Sequence, residues 1–248
     1  MKVKDIFSFL DRLFPTDTAC DFDNVGLLIG DGKDDVSKAL IALDCTLETV
    51  KKAIQSRCEL IITHHPVIFS PLKSILSNSV VFEAIKNNIS VISMHTNLDI
   101  GNGGINDILC QAIGLTNIVP FTASDGYLLK SGDISPISTL NLAKRIKDAV
   151  GGRIKFVDGE KEIKTVLVCS GSGGDFIFDA IRGKFDALVT ADVKHHQFLA
   201  AKENKISLFD AGHFETEDII VEPLKEMLSK EFSNTEFITF HPQNIHYV

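Results

Sequence analysis

Histidines and carboxylates gather at four places in this 248-residue chain. His64 and His65 follow the apolar run 59–63, and His95 and Asp99 follow 89–93. Asp192, His195 and His196 follow 186–190, and Asp210, His213, Glu215 and Glu217 close or follow 206–210. Of the eight histidines, only His241 and His246 lie elsewhere. A lone histidine at a strand end is more often a hydrogen-bonded polar residue than a ligand. Imidazole and carboxylate gathered four times over, without thiolates, suit zinc, iron, manganese or nickel. Adjacent side chains in a turn point in different directions, so His64 and His65 suit two ions better than one. A carboxylate can bridge two cations, and ions about 3.5–4 Å apart form a common hydrolytic arrangement that acidifies bound water. His213 and Glu217, four apart, share a face if their segment is helical.

The runs before these loops read as strands. Residues 25–29, 39–43, 59–63 and 89–93 are short and apolar, and helical patterns lie before them at 5–13 and between them at 47–56 and 79–87. Thr46 can cap the helix 47–56. Gly103 and Gly104 open a helix over 105–113 that stops at Gly114. Later helices are expected at about 138–149 and 193–203. Strands alternating with helices imply an α/β fold with a mainly parallel sheet. In such sheets ligands bind beyond the carboxyl ends of the strands, where the histidines fall.

The second half echoes the first. DNVGLLIGD (23–31) resembles SDGYLLKSGD (124–133), and KALIALD (38–44) resembles KTVLVCS (164–170). CELIITHHPV (58–67) matches FDALVTADVK (185–194), and ISVISMHTNLD (89–99) matches ISLFDAGHFETE (206–217). Four echoes in one order imply an internal duplication: two similar lobes with mixed or parallel sheets flanked by helices. The expected division is 1–124 and 125–248, with one compact metal site formed between the lobes and no long inserted domain.

Composition narrows the function classes. A net charge of −8 disfavours a broad basic surface for nucleic acid. Cys20, Cys45, Cys58, Cys110 and Cys169 form no C-x-x-C pair, which fits reduced thiols in the cytosol. No apolar run approaches the ~18 residues of a membrane helix, and Met1–Asp5 does not open a signal peptide. A cytoplasmic protein is expected.

Other residues carry two readings each. His95 either contacts substrate or a bound water, or orients a ligand. His195 and His196, at the start of the helix 193–203, are either proton donors or phosphate contacts, or lie on the helix surface or in a dimer contact. Asp192, in the place His65 has in the first half, reads as a carboxylate behind a ligand. Gly171–Gly174 either cradles a phosphate or permits close strand-to-helix packing. Asp44 and Asn24 read as turn caps, and Asp107 as a helix-face or rim residue.

The motifs ITHHPVIF (62–69), MHTNLDIGNGGIND (94–107), GSGG (171–174), TADVKHHQ (190–197) and DAGHFETE (210–217) resemble the Nif-three-like family. NVGLLIGD (24–31) is similar to its N-terminal motif. Members are named GTP cyclohydrolase 1 type 2 homologues. The resemblance implies two divalent ions per chain, zinc or iron first, with manganese or nickel as further options. It implies the ligands His64, His65, Asp99, His213 and Glu217, with Asp99 beside His65, His213 beside His64, and Glu217 bridging. It further implies a homohexamer of the compact form. The first functional reading is a metal-dependent hydrolase acting on a nucleotide or other small anionic phosphoester, with His95 or His196 handling protons. The alternative is a metal-binding scaffold or regulatory protein. The two separate on whether a coordination position stays open to water.

Overall fold

The computed structural model describes residues 1–242; His246 lies outside them. The amphipathic stretch near the start folds as α1 (Val3–Leu13), which buries Val3, Ile6, Phe9 and Leu10 along one face. There follow β1 (Gly26–Ile29), β2 (Lys38–Ala42), α2 (Leu47–Ser56), β3 (Leu60–Thr63), α3 (Val80–Lys86), β4 (Ser90–Ser93) and the short α4 (Thr96–Ile100). Thr46 caps α2, its hydroxyl accepting from the Thr49 N–H at 3.1 Å. Strands β2, β3 and β4 run parallel, with Ile62 beside both Ile41 and Ile92. Every residue of β3 and β4 is buried, and every residue of β2 except Lys38. Strands covered on both faces have no wet side, so their sequence reads as an unbroken apolar run. Strand β1 closes one edge, antiparallel to β4.

From Asn102 the chain builds a second unit, Asn102–Ile219. Its elements are α5 (Ile105–Ala112), β5 (Thr116–Thr122), β6 (Leu128–Ile137), α6 (Thr139–Val150), β7 (Lys155–Val157) and β8 (Ile163–Ser172). They continue with α7 (Ile177–Arg182), β9 (Ala187–Ala191), α8 (His195–Glu203), β10 (Ser207–Asp210) and α9 (His213–Asp218). Side chains alternate across β8. Val166 and Val168 join Leu109 from α5 and Leu142 and Ile146 from α6 in one core, with Ile113 just past the end of α5. Leu167 points the other way, into a core with Ile177, Ala180 and Ala201 from α7 and α8.

Strands β8, β9 and β10 are parallel neighbours in that order, as β2, β3 and β4 are. Three of the four sequence echoes thus fall on matching strands. The fourth does not. Strand β1 pairs with β4, whereas β6 pairs with β8, at the opposite side of the parallel trio. The strand in the place of β1 is β7, antiparallel to β10. Any short Leu-Leu strand that closes on a Gly-Asp turn resembles another, so this echo carries no topology. The fold is two similar α/β units with mixed sheets flanked by helices.

The chain then returns to the first unit. Helix α10 (Val221–Glu231) leads to β11 (Glu236–Thr239), which lies parallel beside β2 and completes the order β1-β4-β3-β2-β11. The first unit is therefore Met1–Gly101 with the chain from Ile220 onward, a division different from 1–124 and 125–248. The outer edge of β2 needs partners for its backbone groups, and the far end of the chain supplies them. No helix among the described residues is long and apolar enough to cross a membrane.

Asp186 ties β8 to β9, its Oδ2 accepting from the N–H groups of Lys164 and Thr165 at 3.0 and 3.1 Å. Partial burial opposes its ionisation, but the Lys161 ammonium and these two N–H groups outweigh it and hold the carboxyl below 3.8. A depressed aspartate stabilises the fold above its unfolded value and loses that contribution as pH falls through the folded one. Asp186→Asn should therefore cost about 1 kcal/mol at pH 7, allowing for solvent screening. In urea melts across the acid range, the gap to the parent should close as pH drops below 3.8. A gap that persists in acid would refute this origin.

Candidate metal centre

In the first unit, His64 and His65 leave the carboxyl end of β3. The His65 N–H bonds to the Leu43 carbonyl at 3.0 Å, and the Thr63 hydroxyl donates to the His65 carbonyl at 2.9 Å. His64 is buried, and its Nδ1 lies 3.0 Å from the Met94 carbonyl. A carbonyl only accepts, so Nδ1 carries the proton and Nε2 keeps a lone pair. That Nε2 lies 3.7 Å from Asp99 Oδ1. Asp99 sits on α4, a helix the sequence reading did not foresee, whose first turn bonds the Leu98 and Asp99 N–H groups to the His95 carbonyl. Asp99 thus pairs with His64 here, not with His65 as the resemblance implied.

His65 and His95 are each backed by a carboxylate. His65 Nδ1 is 2.7 Å from Asp44 Oδ1, and His95 Nδ1 is 2.9 Å from Asp23 Oδ1. The second oxygen of Asp23 accepts from the Thr96 N–H at 3.0 Å and its hydroxyl at 2.6 Å. Burial alone would raise the Asp23 carboxyl, but the bonds from His95 and Thr96 prevail and hold it well below the usual range. The rings of His64, His65 and His95 lie 4.9, 5.0 and 5.6 Å apart between centroids. One donor atom from each lies within 4.8 Å of the other two.

In the second unit, His213 and Glu217 stand one turn apart on α9, with Nε2 and Oε2 at 3.1 Å. His213 Nδ1 lies 2.7 Å from Asp192 Oδ2. The bond to Glu217 and then that to Asp192 outweigh burial and push the imidazole up to about 9. Of the other strand-end residues, Asp210 is engaged by Lys155 at 2.6 Å. His195 and His196 are exposed at the start of α8, and neither hydrogen-bonds to His213 or Glu217 among the described residues.

The glycine loop after β8 serves packing. Gly171 has a φ of +58°, and a Cβ there would collide with Glu217 Oε1. At Gly173 a Cβ would meet the Thr190 hydroxyl, and at Gly174 the Gln197 amide. The Gly171 N–H donates to the Thr216 hydroxyl at 3.0 Å, which anchors α9. These contacts favour close packing over a phosphate cradle.

Each of the four imidazoles is therefore held through Nδ1, one by a carbonyl and three by carboxylates, while Nε2 points elsewhere. This is how metal-binding histidines are oriented and made more basic. The donors are imidazole nitrogen and carboxylate oxygen, a set that fits zinc, iron, manganese or nickel. Asp44→Ala should lower zinc affinity about 10–100-fold while circular dichroism stays unchanged. Equal affinity in competition with a chelating dye would show that Asp44 merely closes a turn.

The model of the Duf34/NIF3 family (NGG1p interacting factor 3) matches residues 1–244. The chain belongs to that family. A relative from Clostridium acetobutylicum, named GTP cyclohydrolase 1 type 2 homolog, is 34% identical over 232 residues, spanning 88% of this chain and 85% of its own. The crystal structure of Staphylococcus aureus hypothetical protein SA1388 superposes with a TM-score of 0.91 at 29% identity, covering 100% of this chain and 99% of that one. Reduced HcgD from Methanocaldococcus jannaschii does so with a TM-score of 0.84 at 30% identity, covering 96% and 97%. In this Duf34/NIF3 protein, sequence reading missed Asp23, Thr96 and Gln197. Asp23 opens one of the quoted motifs, yet no local spacing connects it to His95. Gln197 is buried, donating to Asp175 at 2.7 Å and accepting from the Lys194 N–H at 2.6 Å.

Proposed function

We propose that this Duf34/NIF3 protein is a metal-dependent hydrolase that acts on a nucleotide or another small phosphoester. It holds two divalent ions, zinc or iron first, with His64, His65, Asp99, His213 and Glu217. The observation that carries the reading is the shared orientation of the imidazoles, each anchored at Nδ1 by a carbonyl or a carboxylate. The name of the curated relatives supports a nucleotide substrate.

When bound, such ions neutralise phosphate charge and acidify water. The chain's own groups prepare for this. The Met94 carbonyl, Asp44 and Asp192 orient the rings that would hold the ions, and Glu217, packed against Gly171, would supply the shared carboxylate. His196, exposed on α8, is the candidate for proton transfer to a leaving group. The protein assembles as a homohexamer.

Metal content per chain, measured on protein purified without chelator, tests this first. About two ions are expected. Hydrolysis of GTP or of one member of a phosphoester panel should follow, and Glu217→Ala should abolish it. Two ions without turnover on any candidate would point to a scaffold or sensor. Protein that neither holds nor takes up metal would overturn the reading.

A further inference from the structure

We propose that Phe22 and Phe69 form a stacking platform beside the histidines, which holds the planar base of a nucleotide substrate. The proposal rests on the hydrolase reading above and narrows its substrate from small phosphoesters in general to nucleotides.

Both rings face water. Phe22 is 67% exposed and Phe69 50%, and no other phenylalanine described in the first unit is as exposed. Their centroids lie 6.3 Å apart with the planes tilted by 49°. Single exposed apolar side chains are common on protein surfaces, but apolar surface gathered beside a candidate site marks a place where something binds.

The backbone under each ring is held. Phe22 lies in a turn closed by the Asp23 N–H bonding to the Cys20 carbonyl at 2.9 Å. Asp23 itself accepts from the Thr96 N–H and hydroxyl and lies 2.9 Å from His95 Nδ1. Phe69 follows Ile68, whose carbonyl accepts from the Asn24 side chain at 2.5 Å. The two segments that carry the rings are thus tied to each other and to the loop after β4. Rings set out from a fixed backbone lose little freedom when a ligand covers them.

Their position suits a base. The Phe69 ring lies 6.3 Å from that of His95, edge to face at 84°. A substrate held by its phosphate at the histidines therefore meets these two rings with its organic part. A flat heterocycle gains by stacking on them, whichever base it is, because every base has a π-face. A sugar phosphate alone, polar throughout, gains nothing there.

The test measures binding without turnover on the full, zinc-loaded chain. The probes are the phosphonate analogue of GMP, in which a methylene replaces the ester oxygen, and the same analogue of ribose 5-phosphate. Calorimetry should show the first binding at least ~10-fold more tightly than the second, the preference one stacked base supplies. Phe22→Leu with Phe69→Leu keeps apolar bulk and removes both rings. It should bring the preference towards parity, with zinc content equal to the parent's. Phe22→Tyr with Phe69→Tyr, which restores the rings, should restore the preference. A preference unchanged in the leucine variant overturns the proposal, as does binding of neither probe by the zinc-loaded parent. Gel filtration is the second readout. If the leucine variant changes its oligomeric state and keeps its preference, the rings serve a contact between copies and the proposal fails. Parent protein that takes up no zinc overturns instead the function on which this rests, and the same ratio measured on the metal-free chain then decides the platform by itself.

Discussion

Gly171→Ala should strip metal from the protein and leave the fold standing. Gly171 has a φ of +58°, in the left-handed region that costs an L-residue about 1–2 kcal/mol. The larger effect is local. The new methyl would occupy the space of Glu217 Oε1, and His213 Nε2 lies 3.4 Å from the same point. Backbone movement of Gly171 is resisted, because its N–H bonds to Thr216 and its carbonyl accepts from Thr190 at 3.2 Å. The carboxylate end of Glu217 is the part that must give way, and with it the proposed bridging position. Zinc affinity should fall at least ~100-fold, the upper range for disturbing a ligand's support. Gly103→Ala is the control. It too has a positive φ, +74°, but nothing lies within 4 Å of its Cβ position. It should show the backbone cost alone. If Gly171→Ala keeps the parent's affinity in chelator competition, Glu217 is no ligand, or the loop does not position it.

Lys130→Met should unfold the protein at markedly lower denaturant concentration. Lys130 lies on β6 and is only 4% exposed. Its ammonium is 3.1 Å from Asp107 on α5 and 3.3 Å from the Asn102 side chain. Removing one partner of a buried pair leaves the other charge uncompensated, at a cost of about 3–5 kcal/mol. Native stabilities are typically about 5–15 kcal/mol, so this is a large fraction of the total. Replacing both partners, Lys130→Met with Asp107→Leu, should recover much of the loss, since a buried pair is often no better than an apolar one. The Asp107 carboxylate also accepts from the Gly103 N–H at 2.8 Å, so recovery should be incomplete. Equal midpoints for parent and Lys130→Met would mean that the pair is solvated and carries little energy.

The candidate site was legible in residue types and in place along the chain. His64, His65, His95 and Asp99 follow β3 and β4, and His213 and Glu217 follow β10, because parallel strands present their carboxyl ends to ligands. What stayed hidden were the carboxylates behind the rings. Asp23 meets His95 across 72 positions and Asp44 meets His65 across 21. Asp44 had read as a turn cap, and Asp23 as part of a strand motif. A partner contacted only through folding leaves no local periodicity to find.

The sequence alone determined the parallel trios, β2-β3-β4 and β8-β9-β10, and the helices between them. Strands buried on both faces must be apolar throughout, and amphipathic helices must repeat near 3.6 residues, so both signals are local. It also determined which donor types the candidate site offers, because donor type belongs to the residue. Tertiary structure alone decided the edges: β1 and β7 antiparallel, β6 on the other side of its trio, and β11 brought back beside β2. An edge is settled by which unpaired backbone groups meet across the whole chain. It also decided which nitrogen of each imidazole is anchored, because that depends on the acceptor the fold brings to the ring.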